Sequence, residues 1–156
     1  MNGINKQIQI TQEGLESLKK ELNELSDEKR PKAVERLANA RSQGDLAENS
    51  DYHNAKDELE FLDGRISELE DVLKNAVVVQ SNGSADGVAI GTKVTVKNDG
   101  DKLIFNIVGE WEADPMLKRI SHSSPLGQAL IGKNVGDRVE VDAPAGIITY
   151  EILSIE

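Results

Sequence analysis

The chain has 156 residues, of which 28 are acidic and 18 basic, so its formal net charge at pH 7 is −10. The length allows one ordinary domain or two small ones, and the charge argues against autonomous binding to duplex DNA, which relies on cationic contacts to phosphates. The absence of cysteine excludes a disulfide scaffold, a thiol nucleophile and a cysteine-ligated zinc site.

The N-terminal stretch MNGINKQIQI lacks the apolar segment of a signal peptide. No apolar run in the sequence approaches the roughly 20 residues that are needed to span a bilayer. We therefore expect a soluble cytoplasmic protein without a membrane segment.

The first predicted element is a long helix that starts after Thr11, a suitable N-cap residue. Its apolar residues form a narrow seam that changes phase near Pro31, where a proline removes a hydrogen bond and kinks a helix. The seam residues are Leu15, Leu18, Leu22 and Leu25, and then Val34 and Leu37.

Three basic residues of this helix share one face. Lys29, Lys32 and Arg36 are three and four residues apart and point along the line toward Arg41. Such a stripe is either ordinary solvated surface or a cationic strip that guides a phosphate backbone toward the following turn. The sequence leaves both interpretations open.

A second helix is predicted from Tyr52 onward, because apolar or small residues recur at alternating spacings of three and four. They are Tyr52, Ala55, Leu59, Leu62, Ile66, Leu69 and Leu73. Two narrow-seamed helices with a short connection pack antiparallel. We therefore predict a two-helix coiled coil over residues 1–79, with its turn near residues 41–52. Such a hairpin is either a structural arm or a probe that carries its turn into a narrow place.

The predicted turn contains two acids, Asp45 and Glu48, spaced three residues apart. If the second helix begins near them, both carboxylates lie on one face, and the spacing favours a capping box that complements the helix dipole. The alternative is a pair of oxygen ligands for Mg²⁺, which takes one or two protein carboxylates and completes its octahedron with water and phosphates. Two carboxylates cannot enclose the ion alone, so other ligands would come from elsewhere.

Residues 80–156 predict a small α+β domain. The polar, glycine-rich stretch Ser81–Gly87 reads as a linker or exposed loop. Strand-like runs follow, and Ser124 as N-cap, Pro125 at the first position and Gly132 past the end delimit a short helix. The predicted strands are Val88–Val96, Lys102–Val108, Asp137–Val141 and Gly146–Ile155, with turns at Asn98–Asp101 and Ala143–Gly146.

Residue patterns typical of enzymes are scarce. No motif joins His53 or His122 to a metal or a nucleophile, and the sequence has no phosphate-binding glycine loop of the Walker or dinucleotide type. The few aromatic residues of the second domain, Phe105, Trp111 and Tyr150, are expected to be packing residues rather than the lining of a ligand pocket.

The tip sequence ARSQGDLAENSDYHNAKDELEFLDGRISELE closely resembles the hairpin of the bacterial Gre transcript-cleavage factors, with their pattern A-R-x-x-G-D-L-x-E-N-x-[ED]-Y-x-x-A. The later segment ISHSSPLGQALIGKNVGDRVEV resembles the second domain of the same family. The acidic balance is closer to the GreA type than to the more basic GreB type. A related inhibitory subgroup has a more heavily acidic tip, whereas here only Asp51 adds to the two family acids.

The resemblance implies an N-terminal antiparallel coiled coil and a C-terminal FKBP-like domain that docks on bacterial RNA polymerase. It implies that the coiled coil enters the polymerase secondary channel and stimulates the polymerase's own cleavage of the RNA 3′ end in backtracked complexes. The protein would be no enzyme itself and would have no cofactor of its own.

The resemblance also assigns residues. Asp45 and Glu48 match the tip acids that help hold a second Mg²⁺ shared with polymerase, where two metals can activate water and stabilise the leaving oxygen. Arg41 and Tyr52 match positions beside the tip that meet RNA or brace the turn. Ser124 and Pro125 match a segment thought to face polymerase, an interpretation compatible with the N-cap role.

Two other classes of function stay open on the sequence alone. An FKBP-like second domain suggests a prolyl isomerase or chaperone, although the small number of aromatic residues argues against a proline-binding pocket. A coiled coil without chemistry suggests a structural adaptor.

Overall fold

The computed structural model describes residues 7–80 and 87–156. These residues fall into two units, and the predicted α+β fold class is confirmed. One unit is the helical hairpin, residues 16–75, and the other contains the sheet together with residues up to 15 and from 76 onward. The sheet unit thus includes residues that the predicted division after residue 79 assigns to the hairpin. The predicted linker lies outside the described residues, apart from Gly87.

The hairpin is formed by two antiparallel helical arms, as predicted. Ion pairs cross between the arms from Arg30 to Asp63, at 2.6 Å, and from Arg65 to Glu21, at 2.9 Å. From Glu21 to Arg30 along the first arm, the partner in the second arm moves back from Arg65 to Asp63, which is the register of an antiparallel pair. The helical elements are α1 (Gln12–Asn23), a π-helical segment (Glu24–Lys29), α2 (Arg30–Ser42) and α3 (Ser50–Asn75).

The phase change in the first arm has a structural cause. The backbone N–H of Arg30 bonds to the carbonyl of Leu25, five residues back, so the segment Glu24–Lys29 is wound as a π-helix. Pro31, which has no N–H to donate, follows directly at the start of α2, so the series of backbone hydrogen bonds is interrupted where the π-helix ends. The π-helix absorbs one extra residue between the two parts of the seam.

The buried residues of the first arm show this directly, because Leu18, Leu25, Ala33 and Ala40 are spaced seven, eight and seven. The prediction that Val34 continues the seam is wrong: its side chain is 41% exposed, whereas Ala33 is 3% exposed. The π-helical turn rotates the following helix so that the alanine, rather than the valine, faces α3.

The seam of α3 is confirmed. Ala55, Leu62 and Leu69 are at most 5% exposed, and the other predicted seam residues are half-buried. Near the end of the helix, Val72 is 3% exposed and is buried in place of the predicted Leu73. A single narrow stripe of apolar side chains therefore holds the two arms together.

The second unit is built on a five-stranded sheet with the order β5-β4-β3-β7-β6. Its core residues include Val94, Phe105, Ile107 and Ile152, all at most 4% exposed. A separate parallel pair, β1 and β2, joins the segments that flank the hairpin. The strands are β1 (Ile8–Ile10), β2 (Ala76–Val78), β3 (Lys93–Asn98), β4 (Asp101–Val108), β5 (Arg119–Ser121), β6 (Arg138–Ala143) and β7 (Gly146–Ile155).

Two strand predictions need correction. The first strand begins at Lys93 rather than at Val88. Val88 is buried, but its backbone bonds to Lys133 and Gly132, in the segment that follows the short helix, and not to a neighbouring strand. The short strands β1, β2 and β5 are absent from the sequence-based prediction.

The turn between β3 and β4 is confirmed, with positive φ angles of 47° at Asp99 and 88° at Gly100 that suit a tight hairpin. The short helix α4 (Pro125–Leu130) is also confirmed. Among the described residues, no helix is both long enough and apolar enough to cross a membrane.

Within the sheet unit, which includes residues up to 15, a buried carboxylate bonds to the segment where α1 begins. The side chain of Glu112 is 1% exposed and accepts hydrogen bonds from the backbone N–H of Thr11, at 2.9 Å, and of Gly109, at 3.0 Å. The hydroxyl of Thr11 also donates to Glu112, and the guanidinium of Arg119 lies 3.6 Å away. The charge is thus satisfied by several donors, as a buried charge requires.

Candidate functional site

The tip of the hairpin begins where α2 ends at Ser42. The backbone N–H groups of Gln43 and Gly44 bond to the carbonyls of Ala40 and Arg41, at 3.2 and 3.4 Å. Gly44 has φ of +98°, a left-handed conformation that glycine adopts without steric penalty, and this residue turns the chain out of the helix.

The far side of the tip is closed by Asn49. Its Oδ1 accepts a hydrogen bond of 3.0 Å from the backbone N–H of Tyr52, which makes Asn49 the N-cap of α3. The prediction that Asp45 and Glu48 form a capping box is therefore wrong, because the helix begins at Ser50, after both acids. They lie in the turn and not on one face of the helix.

The two acids are available to solvent. Both are exposed, and with Gln43, Gly44 and Asn49 they line one shallow depression at the tip. Asp45 Oδ1 accepts a hydrogen bond of 3.1 Å from the backbone N–H of Ala47. Glu48 makes no hydrogen bond or ion pair with another described residue. Their carboxylates are thus not consumed by helix capping or by ion pairs.

Carboxylate oxygens of this kind suit Mg²⁺, a hard cation that accepts one or two protein carboxylates and fills its other positions with water or phosphate oxygen. In the described parts of the chain, no cluster of three or more His, Cys, Asp or Glu side chains could hold a metal. The donor set therefore fits a shared ion, for which Asp45 and Glu48 supply some ligands and another molecule supplies the rest.

Arg41 and Tyr52 lie beside this depression on opposite arms. The Arg41 guanidinium carbon is 5.9 Å from the centre of the Tyr52 ring, within the range of a cation–π contact. The ring of His53 meets that of Tyr52 edge-on at 5.5 Å. The contact with Arg41 joins the two arms next to the acids.

The three predicted strip residues are not equivalent. Arg36 reaches across to α3 and pairs with Asp51, at 3.0 Å, and Glu58, at 2.8 Å. The hydrogen bond and the charge of Asp51 raise the pKa of Arg36 above its usual value. Lys29 and Lys32 are exposed and have no ion-pair partner among the described residues. The structure thus leaves two unpaired cations on this face.

Ser124 and Pro125 belong to the sheet unit. Ser124 Oγ accepts a hydrogen bond of 3.0 Å from the backbone N–H of Gly127 and donates one of 2.7 Å to the carbonyl of Ser121, which confirms its N-cap role. Pro125 is exposed at the first position of α4. The hydroxyl of Ser124 is thus occupied within the fold, whereas the proline ring is open to a partner.

Phe105 and Tyr150 are packing residues, as predicted. They are 4% and 8% exposed and meet edge-on at 6.0 Å within the core of the sheet unit. Neither ring is available to line an open proline-binding pocket. Trp111 is partly buried.

The sequence-based reading missed Asn49. A signal was present, since an Asn-Ser pair directly precedes the helical seam, and asparagine is a preferred N-cap residue. The acid spacing drew attention to a capping box that starts at Asp45, four residues too early.

Comparison with known proteins agrees with the resemblance at the tip. A family profile described as "Transcription elongation factor, N-terminal" matches residues 8–78, and one described as "Transcription elongation factor, GreA/GreB, C-term" matches residues 83–156.

Individual relatives have the same description. The chain is 50% identical over 153 residues to the transcription elongation factor GreA of Clostridium novyi, covering 96% of each chain. It is 45% identical to that of Bacillus cereus strain AH187, over 94% of this chain and 95% of the relative. A solved structure, GreA factor homolog 1 (Gfh1) of Thermus thermophilus, is 28% identical, with a TM-score of 0.46 over 97% and 99% of the two chains. With both halves of the sequence matched by the two family profiles, the chain belongs to the GreA/GreB family of transcription elongation factors.

Proposed function

We propose that this elongation factor inserts its hairpin into the secondary channel of bacterial RNA polymerase and stimulates the polymerase's own cleavage of the nascent RNA 3′ end in backtracked complexes. Elongation then resumes from the new 3′ end. The factor is not an enzyme by itself and works in the cytoplasm, where its partner is found. Its hairpin supplies ligands, and the catalytic centre belongs to polymerase.

The observation that carries this proposal is that Asp45 and Glu48 are exposed and that neither caps a helix or forms an ion pair among the described residues. The acids stand at the end of a slender two-helix arm, and helix capping, the competing explanation for their presence, is performed by Asn49. An arm held together by one seam of side chains is narrow enough to enter a channel, and its turn is the part that would reach furthest.

Mg²⁺ is the ion that the two carboxylates suit, shared with polymerase rather than owned by the factor. When bound, a second metal supplies a Lewis acid that orients water and stabilises the leaving oxygen. Asp45 and Glu48 would hold such an ion or its water ligands, and either carboxylate could accept a proton from water.

The other residues of the proposal position RNA or polymerase. Arg41 and Tyr52 flank the acids and contact the RNA end. The positive charges of Lys29 and Lys32 guide the RNA backbone toward the tip. Arg36 serves mainly to fix the arms through its two ion pairs. On the sheet unit, exposed Pro125, with Ser124 setting the helix start, contributes to the polymerase contact.

The test is RNA length in stalled, backtracked complexes incubated with wild-type factor, Asp45→Asn or Glu48→Gln. We expect each variant to bind polymerase normally and to lose stimulated cleavage by about 100-fold or more, the loss that several kcal/mol of metal stabilisation implies.

Asp57→Asn and Glu60→Gln are matched controls, because both acids are exposed on the same hairpin and have no ion-pair partner among the described residues. Both controls should retain cleavage. Wild-type cleavage rates in both tip variants would refute the assigned role. Proline isomerisation of a test peptide without any effect on polymerase would favour the isomerase alternative.

A further inference from the structure

We propose that Asn49 is a positioning residue for the two tip carboxylates: its side-chain amide joins the arms across the turn and thereby sets the geometry with which Asp45 and Glu48 meet a metal ion. This inference rests on the proposed function, and it adds a role for a side chain whose amide nitrogen and oxygen are both engaged in hydrogen bonds within the hairpin.

The amide of Asn49 makes one hydrogen bond to each arm. Its Nδ2 donates to the backbone carbonyl of Ala40 at 2.7 Å, nine residues back in α2. Its Oδ1 accepts from the backbone N–H of Tyr52 at 3.0 Å, in the first turn of α3. Asparagine can do both because one side of its amide donates and the other accepts. An acid could only accept, and a serine is too short to reach both.

Burial supports the same role. From Arg41 to Asp51, Asn49 is the one residue that is not exposed. Below it, Ala40 and Ala55 are both 0% exposed, so the seam ends in two small residues that let the arms approach closely. A hydrogen bond shielded from water at this point is worth more than one at the exposed surface.

The consequence for the acids follows from where the two bonds lie. Ala40 and Asn49 bracket the turn, so the bond between them closes the loop that carries Asp45 and Glu48. Without it the loop is held by the backbone bonds of Gln43 and Gly44 and by the Asp45–Ala47 bond. Mg²⁺ demands near-ideal octahedral geometry, so a looser loop raises the Mg²⁺ concentration required.

Asn49→Ser tests the inference, because serine retains an N-cap oxygen but its side chain is too short to donate to the Ala40 carbonyl as well. The measurement is the Mg²⁺ concentration that gives half-maximal stimulated cleavage by the full-length factor on backtracked polymerase. We expect it to rise about three- to tenfold, the range of one net hydrogen bond, while cleavage at saturating Mg²⁺ recovers to about the wild-type rate.

Asn54→Ser is the matched control, because Asn54 is an exposed residue of α3 and the substitution is the same. It should leave the Mg²⁺ dependence unchanged. Helical circular dichroism at the assay temperature verifies that each variant is folded. Should Asn49→Ser lose helix, Asn49→Thr repeats the measurement with another capping residue.

The outcomes separate this inference from the proposed function. If Asp45→Asn abolishes cleavage while a folded Asn49→Ser shows the wild-type Mg²⁺ dependence, the positioning role is refuted and the proposed function stands. If Asp45→Asn also cleaves normally, the proposed function fails. A cleavage rate that is lower by the same factor at every Mg²⁺ concentration, with an unchanged Mg²⁺ concentration for half-maximal cleavage, likewise contradicts a role in metal geometry.

Discussion

The side chain of Glu112 occupies the space that a β-carbon at position 14 would need. A β-carbon built on Gly14 would lie 2.1 Å from Glu112 Oε1 and 2.2 Å from its Cδ, far inside van der Waals contact. The carboxylate cannot easily move away, because it is buried and bonded to the N–H groups of Thr11 and Gly109. Glycine at position 14 is thus required by a residue 98 positions later in the chain.

Two glycine-to-alanine changes should therefore have opposite signs. Gly14→Ala displaces the Glu112 carboxylate and should lower the stability of the sheet unit by about 2 kcal/mol, after a gain of about 1 kcal/mol in helix propensity. Gly64→Ala, in α3 with no atom within 4 Å of the new carbon other than its chain neighbours and the nearby helix backbone, should stabilise the hairpin by about 1 kcal/mol. Urea unfolding followed by Trp111 fluorescence and by helical ellipticity measures the two units.

Trp111 is the chain's one tryptophan and adjoins Glu112, so its fluorescence reports on the unit that Gly14→Ala disturbs. Equal stability changes in both variants would show that the carboxylate rearranges without loss.

At single positions, local signals in the sequence were sufficient only where the partner is near in the chain. The N-cap roles of Thr11 and Ser124 were predicted, because each accepts from an N–H three residues on. The bond from Thr11 to Glu112 spans 101 residues and has no local signature. The N-cap role of Asn49 could have been predicted from the preference for asparagine directly before a helix. The capping box that starts at Asp45 was a competing interpretation of the same segment.

At the level of elements, the first arm combines two helical windings in one continuous rod. Leu18 and Leu25 of the first arm are buried at a spacing of seven, and so are Ala33 and Ala40. The spacing between Leu25 and Ala33, however, is eight. The π-helical segment between them takes up the extra residue, and insertions of this kind rotate the following helix relative to the seam.

The effect of a one-residue deletion on the stability of the hairpin should therefore depend on where in the first arm the residue is deleted. In a Pro31→Ala background, deletion of Glu28 brings Leu25 and Ala33 to a spacing of seven and should convert the π-helix to α-helix with the seam intact. Deletion of Glu35, another exposed glutamate, shortens an already correct spacing to six and turns Ala40 out of the seam. We expect thermal unfolding, followed by ellipticity, at least about 5 °C lower for the Glu35 deletion.

The explanation of the phase change would be contradicted if the two deletions had equal melting temperatures. In that case both deletions would melt below the Pro31→Ala parent by the same amount.

The elements that the sequence predicted have strong periodicity or clear end signals. The α3 seam and α4 belong to this group, as does the β3–β4 turn with its Asp-Gly pair. The π-helix was visible only as a break in phase, because a proline and a phase shift do not specify which winding results. The strands β1, β2 and β5 have three residues each, too few for a period to be read, and depend on pairing partners elsewhere.

At the scale of the whole molecule, the important feature is which basic side chains lack an acidic partner. The net charge is −10, and three hairpin arginines, Arg30, Arg36 and Arg65, are each bonded to acids. Lys29 and Lys32 are exposed cations outside such pairs. A molecule of this charge is repelled by nucleic acid over most of its surface, so a local cationic site has a large share in any approach to RNA.

Lys29→Gln with Lys32→Gln should therefore weaken the approach and leave the chemistry intact. We expect a higher factor concentration for half-maximal cleavage, and a slope of log affinity against log salt that is smaller by about one to two, as for one or two lost phosphate contacts. The cleavage rate at saturating factor should not change, because neither lysine belongs to the tip. The control is Lys97→Gln with Lys102→Gln, two exposed lysines that face each other across β3 and β4 in the sheet unit. The same loss of salt dependence in both double variants would show that net charge, and not a strip on the hairpin, governs the encounter.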